Sequence, residues 1–224
     1  SDGHNTILQM GKEAQELGYE YIAITDHSQG LSVAGGLTKE DIEEREDELR
    51  EAEEQLDIHL LSGIEVDIKK DGSLDMDSET LEDLDIVLGA VHSNFKMDEK
   101  DQMKRIKDAF STGLIDIFAH PTGRMIGERE PYNVDINEMI KSAKENNVVL
   151  EINAFPQRLD LDSLNAREAM DKGVMISIGT DAHGLSHLDF MKYGVGIARR
   201  AWLEKADVLN TKSYEDLIEF LKGR

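Results

Sequence analysis

The recurring order of helix, short apolar run and polar cluster constrains the fold of this chain more than any other feature. The apolar runs are short and often uninterrupted, which is typical of parallel strands buried on both faces. Helical stretches separate these runs, and the alternation indicates an α/β fold. The first helix shows the pattern clearly, because Thr6 and Gln9 have the spacing of a capping box and Gly18 can end the helix. No Gly-, Pro- or Ser-rich linker interrupts the pattern, so we predict one domain over residues 1–224.

Hydrophobic periodicity predicts where the helices and strands lie along the chain. Helices are expected over residues 7–17, 38–56, 101–110, 136–145, 163–171 and 214–221. Strands are expected over residues 19–25, 60–68, 84–91, 114–119, 148–153 and 174–179. The second helix is rich in Glu and has few apolar positions, so we expect it to lie on the outside of the molecule.

Charge and composition narrow the classes of function. With 47 acidic and 25 basic residues the net charge is −22, which excludes a stand-alone duplex-DNA binder that works by counterion release. The same charge permits metal cations, and a merely solvated acidic surface is the alternative interpretation. The chain has no cysteine, which excludes disulfides, zinc fingers and thiol catalysis. With no signal peptide and no long apolar run, we expect no membrane partner and a cytoplasmic location.

Ionisable side chains lie at or just after the carboxyl ends of the predicted strands. They are His27, Glu65, His92, His120, Asp181 and His183. In a barrel of parallel strands these ends converge on one face. Imidazole and carboxylate together suit Zn²⁺, Mn²⁺ or Fe²⁺, and the set is too large for one tetrahedral ion, so we predict two or three metals. Each residue alone has a structural alternative, such as a hydrogen-bonded histidine, and only the joint pattern favours a metal site.

Three further features each have two open interpretations. Arg124 is either a phosphate clamp or a surface ion pair. Asn153 either hydrogen-bonds a metal ligand or water, or caps a loop. Arg199 and Arg200 either contact nucleic acid or form a solvated helix face, and we favour the second. The remaining histidines are assigned by default to structure or surface: His4, His59 and His187.

The polar clusters at the ends of the predicted strands, taken in their order along the chain, resemble those of the PHP (polymerase and histidinol phosphatase) superfamily. The matching segments are Thr25-Asp26-His27-Ser28, Gly63-Ile64-Glu65, Val91-His92-Ser93, His120-Pro121 and Thr180-Asp181-Ala182-His183. More closely, the chain resembles the C-terminal PHP domain of bacterial and archaeal family X DNA polymerases. That subgroup is matched by Val33-Ala34-Gly35-Gly36, His120-Pro121-Thr122-Gly123-Arg124, Arg158-Leu159-Asp160-Leu161, residues 193–203 and Val208-Leu209-Asn210-Thr211.

The resemblance implies a distorted (β/α)7 barrel, a TIM-like fold, with a trinuclear centre of Mn²⁺ or Zn²⁺. It also implies hydrolysis of phosphoesters at DNA 3′ ends, as a 3′–5′ exonuclease or 3′-phosphatase of DNA repair, assisted by upstream polymerase domains. The metal ligands that it implies are Asp2, His27, Glu65, His92, His120, Asp181 and His183. Among them His92, His120 and Asp181 are the catalytic candidates, whereas no general acid is assigned because metal-bound water can serve.

The chain departs from the superfamily pattern at its start. The first superfamily motif opens with an H-x-H or Q-x-H pair on the first strand, a few residues before a segment similar to Ser1-Asp2-Gly3. We therefore expect a truncated domain whose barrel lacks its first strand. One metal position is then expected to lack one or two ligands, so that fewer metals bind, or bind more weakly.

Two other functions stay open. A small-molecule phosphatase of the histidinol phosphate type shares the metal motifs, but is not expected to carry the segment 195–203. A non-catalytic scaffold module that supports a polymerase tolerates an incomplete metal site, but the retained ligand positions argue against it.

Overall fold

The computed structural model describes residues 1–31 and 34–223, so Val33 of the resemblance lies outside the described residues. Within these ranges α-helices and β-strands alternate along the chain. The helices are α1 (Ile7–Glu16), α2 (Lys39–Glu53), α3 (Ser78–Glu82), α4 (Glu99–Phe110), α5 (Ile136–Glu145), α6 (Ser163–Asp171), α7 (Met191–Arg200) and α8 (Tyr214–Lys222). The strands are β1 (Tyr21–His27), β2 (His59–Asp67), β3 (Ile86–Ala90), β4 (Ile117–Phe118), β5 (Val149–Asn153) and β6 (Ile176–Gly179).

All strands belong to one parallel sheet whose order follows the chain, from β1 to β6. The sheet curls into a half-barrel with β1 and β6 at its two edges, and these edges are not paired with each other in the described residues. Register places Glu65 opposite Leu88 and Asn153 opposite Gly179. Because the strands are parallel, their carboxyl ends meet on one face. The predicted TIM-like α/β class is confirmed, with six strands where the resemblance implied seven.

Side-chain caps fix the starts of most helices. Thr6 and Gln9 form the predicted capping box of α1, and Thr38 forms a second one with Asp41 at the start of α2. Asp162 caps α6 by accepting hydrogen bonds from two main-chain N–H groups of the first turn. These caps satisfy amide donors that the helix itself leaves free, so the helices begin where the caps lie.

The core lies between the sheet and its helices, and Arg45 and Arg105 are buried cations of the described residues. Arg105 of α4 is fully buried, and its guanidinium donates to the main-chain carbonyls of Ile68, Lys69 and Ser93. These carbonyls belong to the segments that follow β2 and β3, directly behind the carboxyl face of the sheet. Arg105 therefore joins two of the loops that position the site. None of the described helices has the length and apolar character needed to cross a bilayer.

The elements predicted from the sequence differ from the observed ones at several points. Strand β4 keeps only Ile117–Phe118 of the predicted residues 114–119, and Leu17 of the predicted apolar face of α1 is 41% exposed. Helices α3 and α7 were not predicted. Helix α7 follows a 3₁₀ turn at Leu185–Phe190 and has no side-chain cap, so its start carries no signal in the sequence.

Candidate metal centre

The predicted ligands gather at the carboxyl face of the sheet. His27 ends β1 and Glu65 lies near the end of β2. His92 and His120 follow β3 and β4, and the segment with Asp181 and His183 follows β6. Each of these side chains thus lies in or just after a parallel strand, as the sequence pattern indicated, although the edge strand β1 is only partly buried.

Glu65 lies at the middle of the cluster. Its Oε1 is 2.8 Å from His120 Nε2 and 3.1 Å from His92 Nε2, while its Oε2 is 3.8 Å from His27 Nδ1. The carboxylate is 7% exposed. Burial alone would raise the pKa of Glu65, but the hydrogen bond to His120 and the nearby imidazole of His92 hold it well below its ordinary value. Glu65 is therefore ionised and faces three imidazoles.

Asp2 joins the cluster from the opposite side. Its carboxylate lies 4.0 Å from His27 Nε2 and 3.4 Å from His183 Nε2. His183 continues the series, with Nδ1 3.7 Å from Asp181 Oδ1. The predicted ligands thus form one continuous series from Asp181 to Glu65. Two overlapping groups within it have ligand atoms close enough for a shared ion: Asp2, His27 and His183, and His27, Glu65 and His92.

The imidazole nitrogens fit metal ions. In the described residues His27 Nδ1, both ring nitrogens of His92 and His120 Nδ1 are buried and lack a hydrogen-bond partner. A buried polar atom without a partner is costly, and a divalent cation satisfies several at once. Burial lowers the pKa of His92, but Asp67 and Glu65 raise it to about 9, since both carboxylates favour its charged form.

Burial and the charge of Arg158 both lower the pKa of His120, although Glu65 opposes them. This favours the neutral imidazole that a metal requires.

Two predicted ligands have unusual backbones. His120 has φ +30° and Asp181 has φ +52°, both in a region that residues other than glycine rarely adopt. The main-chain N–H of His120 donates to Glu151 Oε2 at 2.7 Å, which holds that turn in place. Burial, together with the charges of Asp181 and Glu65, raises the pKa of Glu151 to about 8.

Asn153 plays both of the roles that the sequence left open. Its Nδ2 donates to Asp181 Oδ2 at 3.1 Å, so it contacts a predicted metal ligand. Its Oδ1 accepts from the main-chain N–H of Phe155 at 3.0 Å, so it also caps the loop after β5. The side chain is buried, and the loop and the ligand are therefore fixed together.

Arg124 contacts the loop after β5 instead of the predicted ligands. Its Nε donates to the carbonyl of Arg158 at 2.8 Å, a second nitrogen donates to the carbonyl of Leu159, and the third lies 3.8 Å from Asp162. The ion-pair interpretation therefore describes its contacts better than the phosphate clamp. The cation at the site is Arg158, whose Nε lies 3.2 Å from Asp181 Oδ2.

A cavity of about 680 Å³ opens on this cluster. It is lined by Asp2, His27, Glu65, His120, Asp181 and His183, and extends between β1 and β6. The ligands are thus reachable from solvent.

Sequence reasoning missed three residues of the site: Asp67, Glu151 and Arg158. A signal existed for Asp67, because Glu65 and Asp67 are two residues apart on one strand and so share a face. Glu151 likewise lies two residues before Asn153 on strand β5 and shares its face. Arg158 lies in a loop whose path is set by contacts with Arg124, and no periodic pattern reaches it.

Comparisons with known proteins agree with this geometry. Residues 1–155 match the family model described as PHP domain. The chain is 44% identical over 223 residues to the DNA polymerase/3′-5′ exonuclease PolX of Bacillus subtilis (strain 168). That match covers 99% of this chain but 39% of the relative, so the chain spans well under half of its length.

A second relative has nearly the same length as the chain. It is a probable phosphatase of Thermoanaerobacter sp. (strain X514), 29% identical over 238 residues, with 100% of this chain and 91% of that protein covered. Among solved structures, the histidinol phosphate phosphatase of Lactococcus lactis, in complex with zinc, L-histidinol and phosphate, superposes with a TM-score of 0.63. It is 16% identical and the match covers 91% of this chain and 90% of that one, so the likeness concerns the fold.

Proposed function

Because the chain belongs to the PHP domain family, we propose that it is a metal-dependent phosphoesterase acting on DNA 3′ ends. The observation that carries the proposal is the continuous series of carboxylates and buried, unpartnered imidazoles at one end of a parallel sheet. The 44% identity to the B. subtilis polymerase and exonuclease supports the 3′–5′ exonuclease class of reaction. We propose that residues 1–224 act as one domain of this kind.

The residues that would hold the metals are the seven predicted ligands. They are Asp2, His27, Glu65, His92, His120, Asp181 and His183. Mn²⁺ and Zn²⁺ both suit these donors, with Fe²⁺ as a further candidate, and the number of ligands favours two or three ions. When bound, such ions lower the pKa of a bound water and stabilise the attacking and leaving oxygens of a phosphoryl group.

The other polar side chains of the site bind the phosphate group or orient the metal ligands. Arg158 lies beside Asp181 with its guanidinium at the site, so it supplies the positive charge and the N–H donors that a phosphate group needs. Asn153 holds Asp181, and Glu151 holds the turn at His120. Because the chain carries a net charge of −22, contact with DNA is expected to be limited to the 3′ end, and any further affinity to come from other polymerase domains.

The test compares two substrates with and without metal. A 5′-labelled oligonucleotide and p-nitrophenyl phosphate are incubated with the chain and Mn²⁺ or Zn²⁺, and products are followed by gel and by absorbance. We expect shortening of the oligonucleotide, and loss of that activity on substituting Asp181→Ala or His183→Ala. Asp189→Asn changes a nearby exposed carboxylate and is the matched control. Unchanged activity in the Asp181 variant would reject catalysis at this site.

The alternative is a small-molecule phosphatase. It is favoured by the probable phosphatase of Thermoanaerobacter, of which this chain covers 91%. Hydrolysis of p-nitrophenyl phosphate or histidinol phosphate without shortening of the oligonucleotide would select it. Absence of hydrolysis of all three substrates with every metal would leave the non-catalytic scaffold module as the better description.

A further inference from the structure

Asp67 contacts His92 on the side of the ring that faces away from the predicted ligands. Its Oδ1 lies 3.5 Å from His92 Nδ1, whereas His92 Nε2 lies 3.1 Å from Glu65 Oε1. Two carboxylates of strand β2 thus bracket one imidazole, because Glu65 and Asp67 are two residues apart and project from the same face. Of the two, only Glu65 also contacts His27 and His120.

Asp67 holds the main chain of His92 as well as its ring. The main-chain N–H of His92 donates to Asp67 Oδ1 at 3.1 Å. Asp67 is itself fixed, because its N–H donates to the buried Oγ of Ser28 at 3.0 Å and its carbonyl accepts from Asp75 at 3.0 Å. The carboxylate is 13% exposed. A fixed carboxylate therefore holds the main chain at His92 and sets the orientation of its ring.

We propose that Asp67 is a positioning residue that directs the Nε2 lone pair of His92 toward the metal cluster. The inference rests on the proposed metal centre. A histidine that binds a metal through one nitrogen donates the N–H of the other, and the acceptor of that N–H selects the tautomer and the ring orientation. Asp67 Oδ1 lies 3.5 Å from Nδ1 and is the carboxylate oxygen within reach of an N–H there. With the proton on Nδ1, Nε2 keeps the lone pair and faces Glu65, where the other ligands lie.

The substitution Asp67→Asn tests this role. Asparagine has the same shape, but if its Nδ2 takes the place of Oδ1 it donates toward Nδ1 and favours the opposite tautomer. If its Oδ1 keeps that place, it is a neutral and weaker acceptor than the carboxylate. We expect the affinity for Zn²⁺ to fall by about 10- to 100-fold, which is the usual effect of losing such a partner. Asp71→Asn is the matched control, since Asp71 is exposed and lies only four residues along the chain. The affinity is measured by competition with a chromophoric chelator.

A second measurement needs no variant of Asp67. In protein labelled with ¹⁵N-histidine and loaded with Zn²⁺, long-range ¹H–¹⁵N spectra report which ring nitrogen carries the proton, and His92→Gln identifies the signal. We expect the proton of His92 on Nδ1. A proton on Nε2 would overturn the proposal, as would zinc affinity unchanged within twofold in a folded Asp67→Asn protein, or an equal loss in Asp71→Asn. Both readouts are independent of hydrolysis, so a failure of the proposed phosphoesterase activity is distinguishable from a failure of this inference.

Discussion

Two glycines of helix α7 give a matched test of how closely this helix must approach the sheet. Gly194 and Gly196 lie in the same helix, two residues apart. A Cβ on Gly194 would lie 2.4 Å from Ile178 Cγ2 and 2.9 Å from Ala154 Cβ, whereas a Cβ on Gly196 meets nothing within 4 Å. Ile178 belongs to β6 and Ala154 follows β5, so the contact lies under the strands that carry Asn153 and Asp181.

The two alanine substitutions are therefore expected to have opposite effects. In an exposed helical position Gly→Ala stabilises by about 0.5–1 kcal/mol, because alanine loses less backbone entropy and has the higher helix propensity. Gly196→Ala should show that gain. At Gly194 the same gain is opposed by overpacking, which costs about 1–3 kcal/mol in a tight core. Carbon atoms prefer separations of about 3.5–4.0 Å. The contact at 2.4 Å is much shorter, so we expect an overpacking cost near the upper end of that range. The free energy of unfolding of Gly194→Ala should therefore fall by about 2 kcal/mol.

The assay is urea unfolding followed by circular dichroism, with chelator present so that metal binding does not contribute. We expect the free energies of unfolding of the two variants to differ by about 2–3 kcal/mol, with similar m values. If Gly194→Ala is as stable as wild type, α7 can move away from the sheet freely. The view that its close packing fixes the loops after β5 and β6 would then be wrong.

Three further predictions concern the support of the site and its metals. Tyr132→Phe removes the buried hydroxyl that donates to the carbonyl of Pro121 and should lower the free energy of unfolding by about 1–2 kcal/mol in urea titrations; an unchanged midpoint would contradict this. Arg105→Met leaves three main-chain carbonyls, that of Ile68 buried, without their charged donor and should cost about 3 kcal/mol or more. The measurement is the same, and a gain in stability would show that desolvation of the guanidinium dominates. Zn²⁺ at about 100 times its dissociation constant should add about 2.7 kcal/mol to the free energy of unfolding, which a higher melting temperature would report. His92→Ala should reduce this gain, and an equal gain in wild type and variant would place the metal elsewhere.

Local rules predicted several of the helices that begin at a side-chain cap, although the short helix α3, which Asp77 caps, was missed. Helices α5 and α6 begin and end at the predicted residues, because Asp135 and Asp162 cap their starts. The strand ends also predicted the candidate site, since parallel strands bring residues distant in sequence to one face. His27 and Glu65, for example, are 38 residues apart in the chain but lie on paired strands in register.

The remaining features depend on contacts that no local pattern encodes. Helix α7 contains two glycines and lacks a cap, so tertiary packing of Gly194 against Ile178 and Ala154 determines its position. The contacts of Arg124 and Arg158 likewise depend on the path of the loop after β5. Propensity and spacing describe a residue and its near neighbours. These contacts join residues that are 16 positions (Ile178 and Gly194) to 40 positions (Ala154 and Gly194) apart in the chain.

The acidity of the chain and its proposed phosphate chemistry are reconciled by the charges inside the site. Glu65 is buried and ionised, and its nearest partners are three imidazoles, each of which has a buried ring nitrogen without a hydrogen-bond partner. A buried carboxylate is stable only when it is paired. The pKa of His92, about 9, favours a charged imidazole beside Glu65, but the further carboxylates Asp2 and Asp181 need more positive charge. Arg158 provides one such charge beside Asp181, and divalent ions at the predicted ligands would provide the rest. Since the same ions attract a phosphate group, loss of metal should weaken both the fold around Glu65 and the binding of substrate.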